Sequence, residues 1–254
     1  HKEAVADGVN VNYDVYRIKT RITEQGSTVE SGLFVDKRDR MTRQQRAEEL
    51  DEDLTYTANQ LDRDVVATDQ IRTVIRAFRD KLPEIFPGRN EVPKTLIFAK
   101  DDSHAEDIVN TVREEFGKGN DFCQKITYRT GFMRVADENG GYTWKKTSDM
   151  TPDEVLSKLR NQYDPRIAVT VDMVATGTDV KPLEIVFFMR NVRSANFFEQ
   201  MKGRGVRVIS PDKLQAVSSS ATAKDRFVII DAVGVCEQDK TESKPLNRQP
   251  EIAA

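Results

Sequence analysis

An α/β fold built on a mostly parallel sheet is predicted by three observations in this 254-residue chain. Short, continuously apolar runs of strand length recur at Thr95 to Ala99, Ile167 to Val171, Ile185 to Met189 and Phe227 to Ile230, the pattern of strands buried on both faces. Segments with helix signals separate these runs at the spacing of crossover units, which places parallel strands under helices. One of those segments opens on Thr151-Pro152-Asp153-Glu154, an N-cap, a first-turn proline and a capping-box glutamate, so a helix starts there and runs to about Gln162.

The remaining elements follow in chain order. Val11 to Ile18 alternates apolar and polar residues and is rich in β-formers, so it reads as a strand, with a hairpin around Glu24 to Ser27 after it. From Asp36 to about Phe86 the composition changes. Lys37, Arg38, Arg40, Arg43 and Arg46 form a basic cluster and Glu48, Glu49, Asp51, Glu52 and Asp53 an acidic one, which reads as helices on an exposed arm spanning about 36–90. The basic cluster suits either a DNA track or a solvated helix face. Within the arm, Ile71, Val74, Ile75 and Phe78 recur at i, i+3, i+4 and i+7, so that helix lays one face on the core, and Pro83, Pro87 and Gly88 end it. Ser103 and Glu106 make a capping box for a helix running to about Phe116, and Lys125 to Tyr128 reads as a strand. A Gly-rich polar excursion through Gly131, Gly140 and Gly141 follows it, and Thr241 to Ala254 reads as a loose charged tail.

Composition excludes several classes. At 38% hydrophobic and 32% charged, with a net charge of −3, the chain is an ordinary globular one and not a generally basic nucleic-acid wrapper, although a local basic face remains compatible. Cys123 and Cys236 with His1 and His104 cannot assemble a disulfide framework or a closed zinc site, so no metal site is expected and a reducing cytoplasm is the expected location. No apolar run approaches the ~20 residues of a membrane span. The start His1-Lys2-Glu3, without an initiator Met or a signal sequence, reads as the beginning of a fragment.

Two stretches carry chemistry, and both are expected at the carboxyl ends of strands, where open α/β sheets place ligands. Val169 to Val180 leaves a strand and presents Thr176-Gly177-Thr178-Asp179, where glycine allows close backbone approach and Thr and Asp can bind a phosphate or a ribose hydroxyl; the same residues also suit a plain capped strand-to-helix turn. Asn196 to Arg207 contains Gln200-Met-Lys-Gly-Arg-Gly-Val-Arg207, a Q-x-x-G-R-x-x-R pattern. Two arginines three apart at one helix end share a face, and guanidinium groups that stay charged suit a phosphate developing charge during hydrolysis.

With these motifs in place, about Asn10 to Glu237 resembles the second RecA-like domain of superfamily 2 helicases and translocases, and most closely the motor (R) subunit of type I restriction enzymes. Thr95 to Glu106 resembles that family's motif IV, Thr170 to Val180 its motif V and Asn196 to Arg207 its motif VI. Val228 to Val235, Val11 to Thr20 and Arg72 to Arg79 also resemble type I motor subunits. The resemblance implies a RecA-like three-layer domain over 11–240, with 1–10 a linker from a missing first RecA-like domain and 241–254 the tail.

It further implies roles, position by position. Arg204 and Arg207 match the arginines that reach ATP phosphates held by the first domain, and Gln200 the glutamine near the γ-phosphate and attacking water. Gly177, Asp179 and Gly203 match nucleotide-coupling positions. Lys100, Ser103 and Thr176 fall where motifs IV and V approach the DNA backbone, with Ser103 heading a helix whose free amides favour an anion. Thr176, where DEAD-box proteins have Arg, and Val171, where they have Thr, favour a DNA translocase over an RNA helicase. The implied cofactor is ATP with Mg2+, held mainly by the missing domain. The implied partners are double-stranded DNA, the missing motor and nuclease domains, and the modification and specificity subunits of the complex. Another superfamily 2 DNA or RNA helicase domain and a non-catalytic RecA-like interaction module are the alternatives.

Several tempting features carry less. Phe116-Gly-Lys-Gly-Asn120 has Gly after its Lys, so it is no phosphate-cradling loop. Asp51-Glu-Asp53 does not follow a buried strand, and Asp231 with Glu242-Ser-Lys244 imitates a nuclease motif only superficially, its Glu and Lys lying in the polar tail. His104 reads as a surface or capping residue, and Phe197-Phe198 as packing beneath the arginine motif rather than a base-stacking platform.

Overall fold

The computed structural model describes residues 11–18, 21–23, 26–28, 68–136, 141–171, 179–192 and 194–236. Six parallel strands form the central sheet in the order β1-β10-β9-β4-β8-β5. They are β1 (Asn12–Arg17), β4 (Thr95–Phe98), β5 (Cys123–Ile126), β8 (Ile167–Thr170), β9 (Ile185–Phe188) and β10 (Arg226–Asp231). β4, β5, β8 and β9 are buried at every position, as expected of strands covered on both faces, whereas the alternating β1 is an edge strand and only half buried. β2 (Arg21–Thr23) and β3 (Gly26–Thr28) make the expected antiparallel hairpin. The acidic and basic clusters of 36–53 and the tail lie outside the described residues.

Among the described residues five helices accompany the sheet: α1 (Thr68–Ile85), α2 (Asp102–Phe116), α3 (Pro152–Asn161), α4 (Ala195–Gly203) and α5 (Pro211–Gln215). Ile71, Val74, Ile75 and Phe78 of α1 are buried as their spacing requires, and Phe78 packs against Phe187 of β9 and Phe116 of α2. Arg72, Arg76 and Arg79 all pair with Glu115 of α2, so this arginine row serves the α1–α2 contact. The predicted stop at Pro83 is corrected. α1 continues through it to Ile85, because a proline in the last turn costs one backbone bond while Leu82 and Ile85 still reach the core.

Other expectations shift in detail. The strand expected at Lys125 to Tyr128 begins two residues earlier, at Cys123, whose thiol burial pushes up to about 12. The polar excursion after it is a second hairpin, β6 (Phe132–Ala136) with β7 (Tyr142–Lys146), antiparallel and largely exposed, with Phe132 and Met133 of β6 both at the surface. It closes at Gly131 (φ +82°), whose carbonyl accepts from Thr147 N and Ser148 N at 2.7 and 3.1 Å; a Cβ there would meet Ser148 O at 2.6 Å. α3 carries the capping box read from the sequence, Thr151 and Glu154 each bonding the other's backbone.

Candidate functional site

The carboxyl end of β4 delivers Lys100 and Ser103, both exposed. The capping box expected of Ser103 and Glu106 is corrected. Asp101 is the N-cap, its Oδ1 accepting from His104 N at 2.8 Å, and Ser103 lies inside the first turn. Glu106 instead turns inward to Lys125, 2.8 Å away, and Asp102 accepts from Thr127 in the same buried cluster. One of the amides proposed for an anion at this helix start, His104 N, is therefore already taken by a carboxylate. His104 is corrected from a surface residue to a buried one, 2% exposed, whose Nδ1 accepts from Lys100 N at 3.1 Å and so fixes the turn that presents Lys100.

The second stretch does not stay at that edge. α4 starts after the carboxyl end of β9, where Phe198 packs on Phe188 with ring centroids 5.3 Å apart, and carries the chain back along the sheet. It ends near the amino ends of β1 and β10: Lys202 lies over Tyr13, Val11 N donates to Val206 O at 2.7 Å, and Gly205 packs on Phe227. Met201 is buried and Gln200 faces solvent. The expectation that all the chemistry gathers at carboxyl ends is thus corrected, because a helix of this length spans a short strand completely. Phe198 packs as read; the side chain of Phe197 lies outside the described residues.

Arg204 and Arg207 do not share a helix face, which corrects the basis on which they were paired. α4 stops at Gly203 and both arginines follow it. Asp179, from the segment leading into β9, pairs with Arg207 instead. Its carboxylate lies 3.7 Å from Arg207, the two side chains being 41% and 50% exposed. Burial lowers the pKa of Arg204, with the negative charge of Asp179 acting in the opposite sense. Thr176 and Gly177 lie outside the described residues.

Two residues that the motif reading passed over position this arrangement. Gly205 is the sterically demanding glycine: a Cβ there would lie 2.5 Å from Phe227 Cδ2, whereas one on Gly203 would meet nothing within 4 Å. Lys224, 7% exposed, donates from Nζ to Lys181 O and Arg207 O, both at 2.8 Å. The signal for Gly205 was present in the sequence as the second glycine of Gly203-Arg-Gly205; a lysine in the polar approach to β10 gave none.

Asp231 has a structural task that disposes of the nuclease-like pattern. Its buried carboxylate accepts from Val233 N and Val235 N at 3.0 Å and from Cys236 N at 2.8 Å, capping the turn after β10. Among the described residues no group of three or more His, Cys, Asp and Glu could hold a metal ion, and no helix is long and apolar enough to cross a membrane.

Sheet order, covering helices and the course of α4 define a RecA-like α/β domain. Its homologues among curated proteins are the endonuclease subunits of type I restriction enzymes. The EcoAI subunit of Escherichia coli is 26% identical over 216 residues, covering 82% of this chain and 22% of its own length. The EcoKI subunit of Escherichia coli K12 is 28% identical over 216 residues, covering 82% of this chain and 16% of its own. The chain thus spans about a fifth of the length of the curated relatives it matches. A fragment assigned as the HsdR subunit of a type I restriction enzyme from Vibrio vulnificus shares the fold, with a TM-score of 0.51 and 18% identity over 91% of this chain and 34% of that one. No family model matches the chain.

Proposed function

We propose that this chain is the second RecA-like domain of an ATP-driven double-stranded-DNA translocase, within the restriction subunit of a cytoplasmic type I restriction-modification enzyme. The observation that carries the reading is the Asp179–Arg207 pair, with Arg204 beside it. An ion pair this exposed and this long contributes no more than about 1 kcal/mol, so Arg207 can leave Asp179 for a phosphate at little cost. Arg204, partly desolvated, interacts more strongly with an incoming anion than a fully hydrated arginine would.

The residues present fit half of a nucleotide site. Arg204, Arg207 and Gln200 offer cations and an amide to phosphates, while Gly203 and Asp179 shape and neutralise the edge between events. ATP with Mg2+ supplies the hydrolysed phosphoanhydride, and the carboxylates for the metal belong to a first RecA-like domain elsewhere in the parent protein. Lys100, Ser103 and Thr176 would grip the DNA backbone. Because Lys100 follows the carboxyl end of β4 and Arg204 lies toward the amino ends of β1 and β10, closure on nucleotide at one end can shift a DNA grip at the other. Nuclease domain, modification subunit and specificity subunit complete the machine.

The test is DNA-stimulated ATP hydrolysis. The isolated chain is expected to hydrolyse nothing, and Arg204→Ala in the full-length protein to lower turnover by about 10^3-fold or more, the scale of arginine-finger loss. Turnover of that variant equal to the parent's would refute the reading.

A further inference from the structure

The two arginines need a fixed backbone, and only part of that backbone is helical. After Gly203 the chain leaves α4, and Asp179 belongs to a different segment that enters β9, so no single element sets the distance between Asp179 and Arg207. One side chain bridges the two segments. Lys224 Nζ donates to Lys181 O, two residues after Asp179, and to Arg207 O, both at 2.8 Å. Among the described residues no carboxylate pairs with it; of the two whose negative charge it senses, Glu184 is committed to Arg89 by two hydrogen bonds of 2.7 and 2.9 Å, and Asp179 is the carboxylate that pairs with Arg207. A buried ammonium that takes backbone carbonyls from two segments as its acceptors keeps its desolvation cost, so hydrophobic packing alone does not account for it.

We infer that Lys224 is a positioning residue of the motor, a tether that holds the Asp179 segment and the Arg207 segment in register so that the guanidinium of Arg207 meets its phosphate in a fixed pose. The inference rests on the functional reading above and assigns Lys224 no contact with nucleotide or DNA. It distinguishes Lys224 from a residue that only stabilises the fold. Loss of the tether leaves nucleotide binding, which the other domain dominates, largely intact, and misplaces one group needed in the transition state. Burial also draws the Lys224 pKa down to about 7, so the amine can lose its proton near neutrality and its grip on two carbonyls weakens as pH rises.

Lys224→Met keeps the aliphatic stem and removes both donors. In the full-length protein it is expected to lower the kcat of ATP hydrolysis by about tenfold, equivalent to ~1.4 kcal/mol of barrier, with KM for ATP changed less than about threefold and the protein still fully folded at the assay temperature. Combined with Arg207→Ala it is expected to add no further loss, because it acts through that arginine. Unchanged kcat in Lys224→Met beside a crippled Arg207→Ala overturns the tether, as do losses that multiply in the double variant or a melting temperature that falls while kcat holds. If Arg207→Ala itself retains full turnover, the functional reading fails instead.

Discussion

Two groups of cations sit toward the same end of this sheet and are treated in opposite ways. Lys94, Arg166 and Arg89 are used up. Lys94 donates to the carbonyls of Gln162, Tyr163 and Pro165 at 2.6–2.8 Å, and Arg166 to those of Val92, Tyr163 and Val217 and to Ser218 Oγ. Arg89 and Glu184 form a two-pronged pair, 10% and 2% exposed. Arg204 and Arg207, by contrast, stand after a helix end, and Arg207 is half exposed with a 3.7 Å ion pair at an open carboxylate. Arginines occur in both groups. What separates them is whether buried carbonyls and a buried carboxylate engage most of the donors or leave a guanidinium half exposed, as at Arg207, and only the second condition suits an exchangeable anion.

The contrast can be broken from its rigid side first. Arg166→Met strands the carbonyls of Val92 and Val217 and removes one of the two donors to Tyr163 O, so the chain is expected to lose about 3–5 kcal/mol in denaturant unfolding. A loss below 1 kcal/mol would mean that these acceptors find water. Gly205→Ala comes next. Its Cβ collides with Phe227, so about 1–3 kcal/mol of stability should go, together with ATPase turnover, and Phe227→Leu should restore part of both.

A pH titration sharpens the same contrast. Burial draws Lys94 down to about 7 from a free value of 10.5, so the unfolded chain binds more protons than the folded one between these limits and stability rises with pH there. The slope from this residue should reach at most about 1.4 kcal/mol per pH unit and vanish in Lys94→Met; an unchanged slope in that variant excludes Lys94 as its source. Asp179→Asn marks the small end of the scale. It should change stability by less than about 1 kcal/mol, while the KM for ATP of the full-length protein shifts measurably; a stability loss of several kcal/mol would show the pair to be structural.

How much was legible in the sequence follows from which forces act locally. The buried strands, the apolar face of α1 and the Thr151 capping box were all readable, because an apolar run, a helical period and a cap are properties of neighbouring residues. The N-cap at Asp101 was misplaced by two residues, since Asp and Ser both suit the position and only the inward turn of Glu106 to Lys125 decides between them. The β6–β7 hairpin was missed because Phe132-Met-Arg-Val-Ala136 does not alternate apolar with polar residues, which a strand exposed on both faces has no need to do. Within the candidate site, Arg204, Arg207, Gln200 and Asp179 were named from motif spacing, but the helix-face argument for the arginines was wrong, and Gly205 and Lys224 were not singled out.

By itself, then, the sequence determined the class of fold, its buried strands with the helices between them and the short list of charged residues worth watching, since these depend on pattern over a few residues. The tertiary structure alone decided that Lys94 and Arg166 are spent on carbonyls while Arg207 is held by one loose carboxylate, and that Arg204 lies toward the opposite end of the sheet from Lys100. Those distinctions rest on contacts between residues tens of positions apart, where desolvation and the supply of acceptors, and not residue identity, set what a charge is free to do.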